Sequence, residues 1–256
     1  MSTRLGGVSQ PPFDSLNLRP AVLPGDALDD PAHVLENQRR FAHALGAVPV
    51  WLNQVHGAEV VRLQADDAAP GRPMHRADAA VTTLHGLACT VLVADCLPVL
   101  MCSQDGRAVG AAHAGWRGLA AGVLENTLAL LCQAAGCAPS EVQAWLGACI
   151  GPREFEVGAD VLQAFDVDPH GSQGRDQDAA MARQHFKFRP RADGSPRWHA
   201  DLAGLARDRL QAAGIGHLSG GGCDSHWCTV EHGSSFFSYR RDGRTGRMAA
   251  GIAIGA

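Results

Sequence analysis

The stretch Leu87–Gly118, LACTVLVADCLPVLMCSQDGRAVGAAHAGWRG, decides how the chain folds. Leu87 to Ala94 is a near-continuous apolar run, the pattern of a strand buried on both faces. Asp95-Cys96-Leu97-Pro98 interrupts it, because proline cannot donate to a ladder and central strands rarely tolerate one. Val99 to Cys102 and Ala108 to Ala112 then flank Gln104-Asp105-Gly106-Arg107, and Asp-Gly between apolar runs signals a hairpin. From about Trp116 to Ala135 the period becomes helical, with Leu119, Val123, Leu124, Thr127, Leu128 and Leu131 on one side and Gly136 as the stop.

On the N-terminal side, Asp30-Pro31 reads as an N-cap followed by proline in the first turn. Val34, Leu35, Gln38, Phe41 and Leu45 follow at helical spacing, and Gly46 ends the helix. Val48 to Leu52 and Glu59 to Leu63 read as short strands, and Asp66 to Arg76 as a loop. On the C-terminal side, Val142 to Ile150 reads as a strand closed by Gly151-Pro152, and Ala159 to Phe165 as a brief helix. Asp166 to Pro196 is polar and without period, so a long loop or lid is expected there. Asp201 caps a helix through Ala213, Asp242-Gly243 forms a turn, and Met248 to Ile254 a last strand. The Asp-Gly-Arg turn at Asp105 recurs at Asp242, a hint of a duplicated half.

The 256 residues, 46% hydrophobic and 19% charged, describe an ordinary globular protein that can bury one large core or two small ones, and sheet-rich chains of this length, 1–256 here, are often a single domain. A formal charge of −4 gives no reason to expect nucleic acid or an anionic membrane as partner. Of the basic residues 21 are Arg and one, Lys187, is Lys; beside so much Ala and Gly, GC-rich codon usage explains this better than phosphate recognition. Met1-Ser2-Thr3-Arg4-Leu5-Gly6-Gly7 has no apolar stretch after its Arg, so a cytoplasmic protein with reduced cysteines is expected. No Cys-x-x-Cys pair occurs among the eight cysteines, so a metal has to recruit histidine. Gly-x-Ser-x-Gly and Gly-x-x-x-x-Gly-Lys are both absent, which argues against a serine α/β-hydrolase and a P-loop NTPase.

Histidine is present where it would count. His56, Cys96 and His113 each stand where an apolar run gives way to a turn, the place where a scaffold presents functional side chains. Two imidazoles and a thiolate would give zinc three protein ligands and leave one position open. Each residue also has a plain alternative, since a histidine beside a strand can be structural and a cysteine can be a small buried hydrophobe. Their separations, 40 and 17 residues, match no contiguous zinc motif, so the fold has to bring them together. Asp95 is placed to orient a ligand or handle protons, or else merely forms a turn or cap. Arg4 beside Gly6-Gly7, and Arg240-Arg241 before Asp242-Gly243, are candidates to hold phosphate or ribose, against the alternative of exposed arginine turns. Gly220-Gly221-Gly222-Cys223 is equally open, and Cys228 reads as core.

Gln54-Val55-His56-Gly57, Ala94-Asp95-Cys96-Leu97-Pro98, His113-Ala114-Gly115-Trp116-Arg117-Gly118, Cys149-Ile150-Gly151-Pro152 and Phe236 to Gly243 with Thr245-Gly246-Arg247-Met248 resemble the signature blocks of one family. It is the purine nucleoside phosphorylase family once called multicopper polyphenol oxidases or laccase-domain proteins, related to the peptidoglycan editing factors. The resemblance runs nearly end to end, although Asp166 to Pro196 matches no landmark. It implies a single four-layer α/β/β/α domain of mixed β-sheets, with His56, Cys96 and His113 as ligands of one zinc ion. It implies phosphorolysis of adenosine, inosine and methylthioadenosine to free base and ribose 1-phosphate, with deamination of adenosine.

The label of copper oxidase fits the residues poorly. A trinuclear copper cluster needs paired His-x-His motifs, and the 12 histidines form none. Copper remains an adventitious occupant, since it outcompetes zinc at most nitrogen and sulfur sites. Two other readings stay open. In one, Cys96 is the nucleophile and His113 the base of a cysteine amidohydrolase that edits peptidoglycan precursors. In the other, zinc is a structural staple in a non-enzymatic binding protein. The oligomeric state is not legible in the sequence.

Overall fold

Alternation along the central strands sorts their side chains between two neighbouring layers. The computed structural model describes residues 1–23, 28–169, 182–221 and 225–255. Strand β4 (Leu87–Val93) lies between β1 (Val48–Val50), which runs parallel to it, and β12 (Met248–Ala253), which runs antiparallel. Its Leu87, Cys89 and Val91 face a second sheet, where they meet Ala80 and Ala111. Its Leu92 points the other way, onto Phe41 of helix α1 (Pro31–Leu45).

The second sheet has six strands in the order β11 (His217–Gly220), β7 (Val142–Leu146), β5 (Leu97–Ser103), β6 (Val109–Ala114), β3 (Ala79–Thr82), β2 (Val60–Arg62). Its outer pairs, β11 with β7 and β3 with β2, are parallel and its inner pairs antiparallel. Leu97, Val99, Met101, Ala112 and Leu146 leave the face away from β4. They pack on Leu124, Leu128 and Leu131 of α3 (Val123–Ala135) and on Leu202, Leu205 and Leu210 of α5 (Leu202–Ala212). The result is four layers: α1, the three-stranded sheet, the six-stranded sheet, then α3 with α5. Beyond them a small antiparallel sheet of β8 (Glu156–Val157), β10 (Trp198–Ala200) and β9 (Phe186–Phe188), with α4 (Ala159–Ala164), extends the core through Phe155, Phe165 and Trp198.

Most expected elements occur within a few residues of their predicted bounds. Asp30 accepts the Ala32 N–H, Pro31 opens α1, and Gly46 closes it at φ 69°. Leu35, however, is exposed, and the helix turns Asn37 inward instead. The helix expected over Trp116 to Ala135 is two: α2 (Trp116–Ala120) ends before Gly122, whose φ of 90° no helix continues, and α3 follows. Pro98 does not interrupt; it is the second residue of β5. A residue's N–H and C=O point to the same side of a strand, and the Pro98 carbonyl accepts from Gly147 beyond β7. Pairing with β7 begins only at Val99, so the ladder asks no donor of Pro98. The strand expected to Ile150 ends at Leu146. Within the expected loop 166–196, residues 170–181 lie outside the described residues, and β9 occupies Phe186–Phe188. The two Asp-Gly-Arg turns share no context: one joins β5 to β6, the other ends the helical turn α6 (Tyr239–Asp242). Among the described residues no helix is long and apolar enough to cross a membrane.

Asn37 ties the N-terminal segment to the helix. Fully buried, it donates to Ser9 Oγ, Ser15 O and Asn17 O and accepts from Val8 N. Asn37→Ala leaves those groups unpaired, and the unfolding free energy in urea should fall by about 2–4 kcal/mol. Leu35→Ala, two residues away on the exposed side, should change it by less than about 0.5 kcal/mol.

Candidate metal centre

Three chain turns meet at one end of the sheets. The first, Asn53 to Gly57, leaves β1 and is held to the edge of β4 by Gln54. Its side-chain amide acts as a strand partner, donating to Leu92 O at 2.9 Å and accepting Leu92 N–H at 2.7 Å. The second, Ala94 to Cys96, joins β4 to β5. The third carries His113 at the end of β6 into Gly115, the N-cap of α2. Together they bring donor atoms of His56, Cys96 and His113 within 4.8 Å of one another. The His56 and His113 rings stand edge to face, 4.9 Å between centroids.

Asp78, at the head of β3, holds this arrangement. Its carboxylate is fully buried and accepts from the N–H groups of Val55, His56 and Gly57, at 3.1, 2.9 and 2.7 Å. It also binds His113 Nδ1 at 2.8 Å, which leaves Nε2 for Cys96 and the cleft. Burial alone would raise the Asp78 carboxyl, but the bonds from His113, Gly57 and Val55 outweigh it and hold the group below its ordinary range. Burial likewise pushes the Cys96 thiol up, and the charge and hydrogen bonds of His113 and His56 bring it down to about 6. On His113 burial acts downward, while the Cys96 charge and Asp78 carry it up to about 9.

The glycines of the His113–Gly118 block have steric reasons. A Cβ on Gly115 would stand 3.0 Å from both Cys96 Sγ and His56 Cδ2, and one on Gly118 would stand 2.6 Å from Gly57 O. His56 and Asp95 take left-handed φ values of 60° and 92°. Backbone strain beside a donor set is common where surrounding contacts over-determine the conformation. Here the Asp95 carboxylate accepts from Thr229 Oγ1 at 2.6 Å and Arg240 N at 2.7 Å, and its carbonyl accepts from Ile150 N. Asp95 therefore fastens the Cys96 turn to the C-terminal segment, and Asp78 is the residue that orients the histidine.

The centre lines a cleft of about 740 Å³, with His113 buried, Cys96 half-buried and His56 exposed. His56, Cys96, His113, Asp95 and Arg240 all line it, with Arg19, Arg117, Arg247, Trp116, Phe155 and Tyr239. Arg4 and Arg241, expected beside Arg240, do not. The chain ends do come together, since Arg4 N donates to Ser235 O, but both guanidiniums are occupied elsewhere. Arg4 binds Asp14 and Gly233 O; Arg241 binds Thr229 O, Val230 O, Phe236 O and Asp242. They brace the fold for the same reason that made them candidates: a guanidinium beside a turn finds carbonyls. Cys228 is buried core and accepts from Gly151 N, while Gly222 and Cys223 lie outside the described residues. The sequence reading passed over Asp78, Arg19 and the cleft role of Arg247. The signal for Asp78 was available, as an acidic residue entering the apolar run Ala79–Thr82 has to find a partner.

Known proteins resemble this chain along its whole length. A protein of Pseudomonas aeruginosa named purine nucleoside phosphorylase is 47% identical over 98% of this chain and 90% of its own. One of Escherichia coli, purine nucleoside phosphorylase YfiH, is 45% identical over 98% and 91%. The crystal structure of a Neisseria meningitidis protein superposes with a TM-score of 0.82 at 41% identity, covering 99% of this chain and 92% of the other. YlmD of Geobacillus stearothermophilus superposes at 0.80 with 30% identity, covering 99% and 90%. The family model described as multi-copper polyphenol oxidoreductase laccase matches residues 1–255, and the chain belongs to that family.

Proposed function

We propose that the protein is a zinc-dependent purine nucleoside phosphorylase acting on adenosine, inosine and methylthioadenosine, with deamination of adenosine at the same centre. The observation that carries this reading is a three-donor His–Cys–His centre lining an open cleft together with guanidinium groups and aromatic rings. The names of the relatives from P. aeruginosa and E. coli point the same way.

The residues fit zinc. Ligands about 2.0–2.3 Å from a tetrahedral ion stand about 3.3–3.8 Å apart, within the spread of these donors. Cys96 is held toward the thiolate that a metal needs, and Asp78 fixes the His113 ring with Nε2 forward. Held by His56, Cys96 and His113, zinc would supply Lewis acidity and an activated water for deamination. In phosphorolysis a phosphate oxygen bonds to the anomeric carbon while the bond to the purine nitrogen breaks. The electron pair leaves on the base, which takes up a proton, and the sugar departs as ribose 1-phosphate, or as its 5-methylthio counterpart from methylthioadenosine. Arginines of the cleft neutralise the phosphate, and Trp116, Phe155 and Tyr239 offer faces to the purine. A structural staple normally has four ligands and a closed shell, unlike this open cleft. A four-copper oxidase would need further donor clusters, and the described residues hold one.

One observation favours the amidohydrolase alternative: Cys96, His113 and Asp78 follow the order of nucleophile, base and orienting carboxylate. A triad has no use for His56, however, and two imidazoles converge on the one sulfur. Zinc uses all three.

Two measurements separate these readings. Zinc-loaded protein should resist alkylation at Cys96 and release hypoxanthine from inosine only with phosphate present; a chelator should expose the thiol at least ~10-fold and stop turnover. Chelator-resistant turnover with an acyl adduct on Cys96 would instead establish the amidohydrolase. Asp78→Asn should weaken zinc binding by about 10–100-fold in a competition titration, because the amide cannot serve both the loop and His113. Unchanged affinity would remove Asp78 from the centre.

A further inference from the structure

The cleft has a second built feature, on the wall formed where the two ends of the chain meet. Asn17, 1% exposed, turns one carboxamide oxygen to two backbone donors, Arg19 N at 3.2 Å and Arg247 N at 2.9 Å. Its amide nitrogen is anchored on Asp29, and Leu18 N donates to Arg247 O at 3.0 Å. The segments 17–19 and 247 thus lie side by side, and both arginines line the cleft. Arg19 Nη2 donates to Leu23 O at 3.1 Å, so its guanidinium is braced by its own segment and contributes charge to the wall. Burial lowers the Arg247 guanidinium, and the charge of Arg19 lowers it further. Cationic groups lining a cleft attract anions.

Arg247 is shaped for that anion. Its Nη1 donates to Thr245 O and Gly246 O, which fixes the plane of the group. Among the described residues nothing accepts from Nε or Nη2, and no carboxylate stands at ion-pair distance. These two N–H groups point the same way, as the fork that meets two oxygens of one phosphate. Arg247 lines the same cleft as Cys96 and Asp95, whose charges act on it, and its guanidinium lies 5.9 Å from the Tyr239 ring centroid. The other cleft arginines are less suited. Arg240 Nη1 also donates to two carbonyls, Glu154 O and Glu156 O, but Arg240 is exposed where Arg247 is half-buried, and Arg117 sits over the Trp116 ring at 4.2 Å.

We propose that Arg247 and Arg19, paired through Asn17, form the phosphate subsite of the cleft, with the Nε–Nη2 edge of Arg247 as its bidentate donor. The proposal rests on the phosphorolysis reading for its role in turnover, but phosphate binding can be measured without any nucleoside. The test uses zinc-loaded protein, inorganic phosphate and the variants Arg247→Gln, Arg247→Lys and Arg19→Gln. Calorimetric titration gives the phosphate Kd, and steady-state assays give KM separately for phosphate and for inosine. Arg247→Gln should raise the phosphate Kd and KM by at least ~10-fold and move the inosine KM by less than ~3-fold, with zinc content unchanged. Arg247→Lys should recover part of the loss, since the charge returns without the fork. Arg19→Gln should weaken phosphate in the same direction from the other segment, and it answers the question if Arg247→Gln does not fold. Wild-type affinity for phosphate in both glutamine variants would overturn the subsite and leave phosphorolysis standing. Phosphate binding that depends on Arg247 in a protein that never cleaves inosine would keep the subsite and overturn the reaction. A wild-type protein that binds no phosphate would overturn the subsite outright.

Discussion

A carboxylate without access to solvent has to find its hydrogen bonds inside the protein, and Asp78 finds four. Three come from consecutive N–H groups of the loop that carries His56, and the fourth from the ring of His113. One side chain therefore fixes the position of one donor and the orientation of another. The third, Cys96, is set by the Asp95 turn, whose carboxylate is fastened to Thr229 and to the backbone of Arg240. Removing a partner from a buried charge costs more than its bond is worth, because the remaining charge stays desolvated. The centre is consequently over-determined, which is what tolerates left-handed backbone at His56 and Asp95.

The layers explain why these turns meet. Between the two sheets the contact residues include Ala80, Ala111, Ala250 and Cys89, all small, so the sheets approach closely and their ends stay in register. β4 in one sheet and β5 in the other are joined by three residues, Ala94 to Cys96, which places Cys96 where the sheets part. His56 arrives from the edge beside β4, and His113 from β6 next to β5. The cleft opens at this seam, and its wall is completed by the two chain ends, paired through Asn17. Its lining combines sulfur and imidazole donors with four arginines, Arg19, Arg117, Arg240 and Arg247.

Much of this was legible in the sequence. The apolar run at β4, the Asp-Gly hairpin, the Asp-Pro helix start and the glycine stops are local signals, and local signals fix elements because capping and turn geometry act over a few residues. The donor types of His56, Cys96 and His113 were equally plain, as was their place at the ends of apolar runs. The limits were local too. Gly122 split a helix whose apolar period ran straight through it, and Pro98 entered a central strand because its missing donor faces a side where pairing has not begun.

Only the tertiary structure decided which polar groups share a site. Arg4 and Arg241 have the same chemistry as Arg247, and the sequence gives no means to tell a guanidinium that braces carbonyls from one that faces a cleft. Asp78 and Asp95 were likewise separable only by what surrounds them, since a carboxylate orients a histidine if it is buried against the ring and ties a turn if it meets backbone donors. Sequence determines residue type and short-range conformation, while the meeting of residues 17, 78, 113 and 247 depends on which faces of two stacked sheets are buried together. That outcome belongs to the whole hydrophobic pattern, and no single motif contains it.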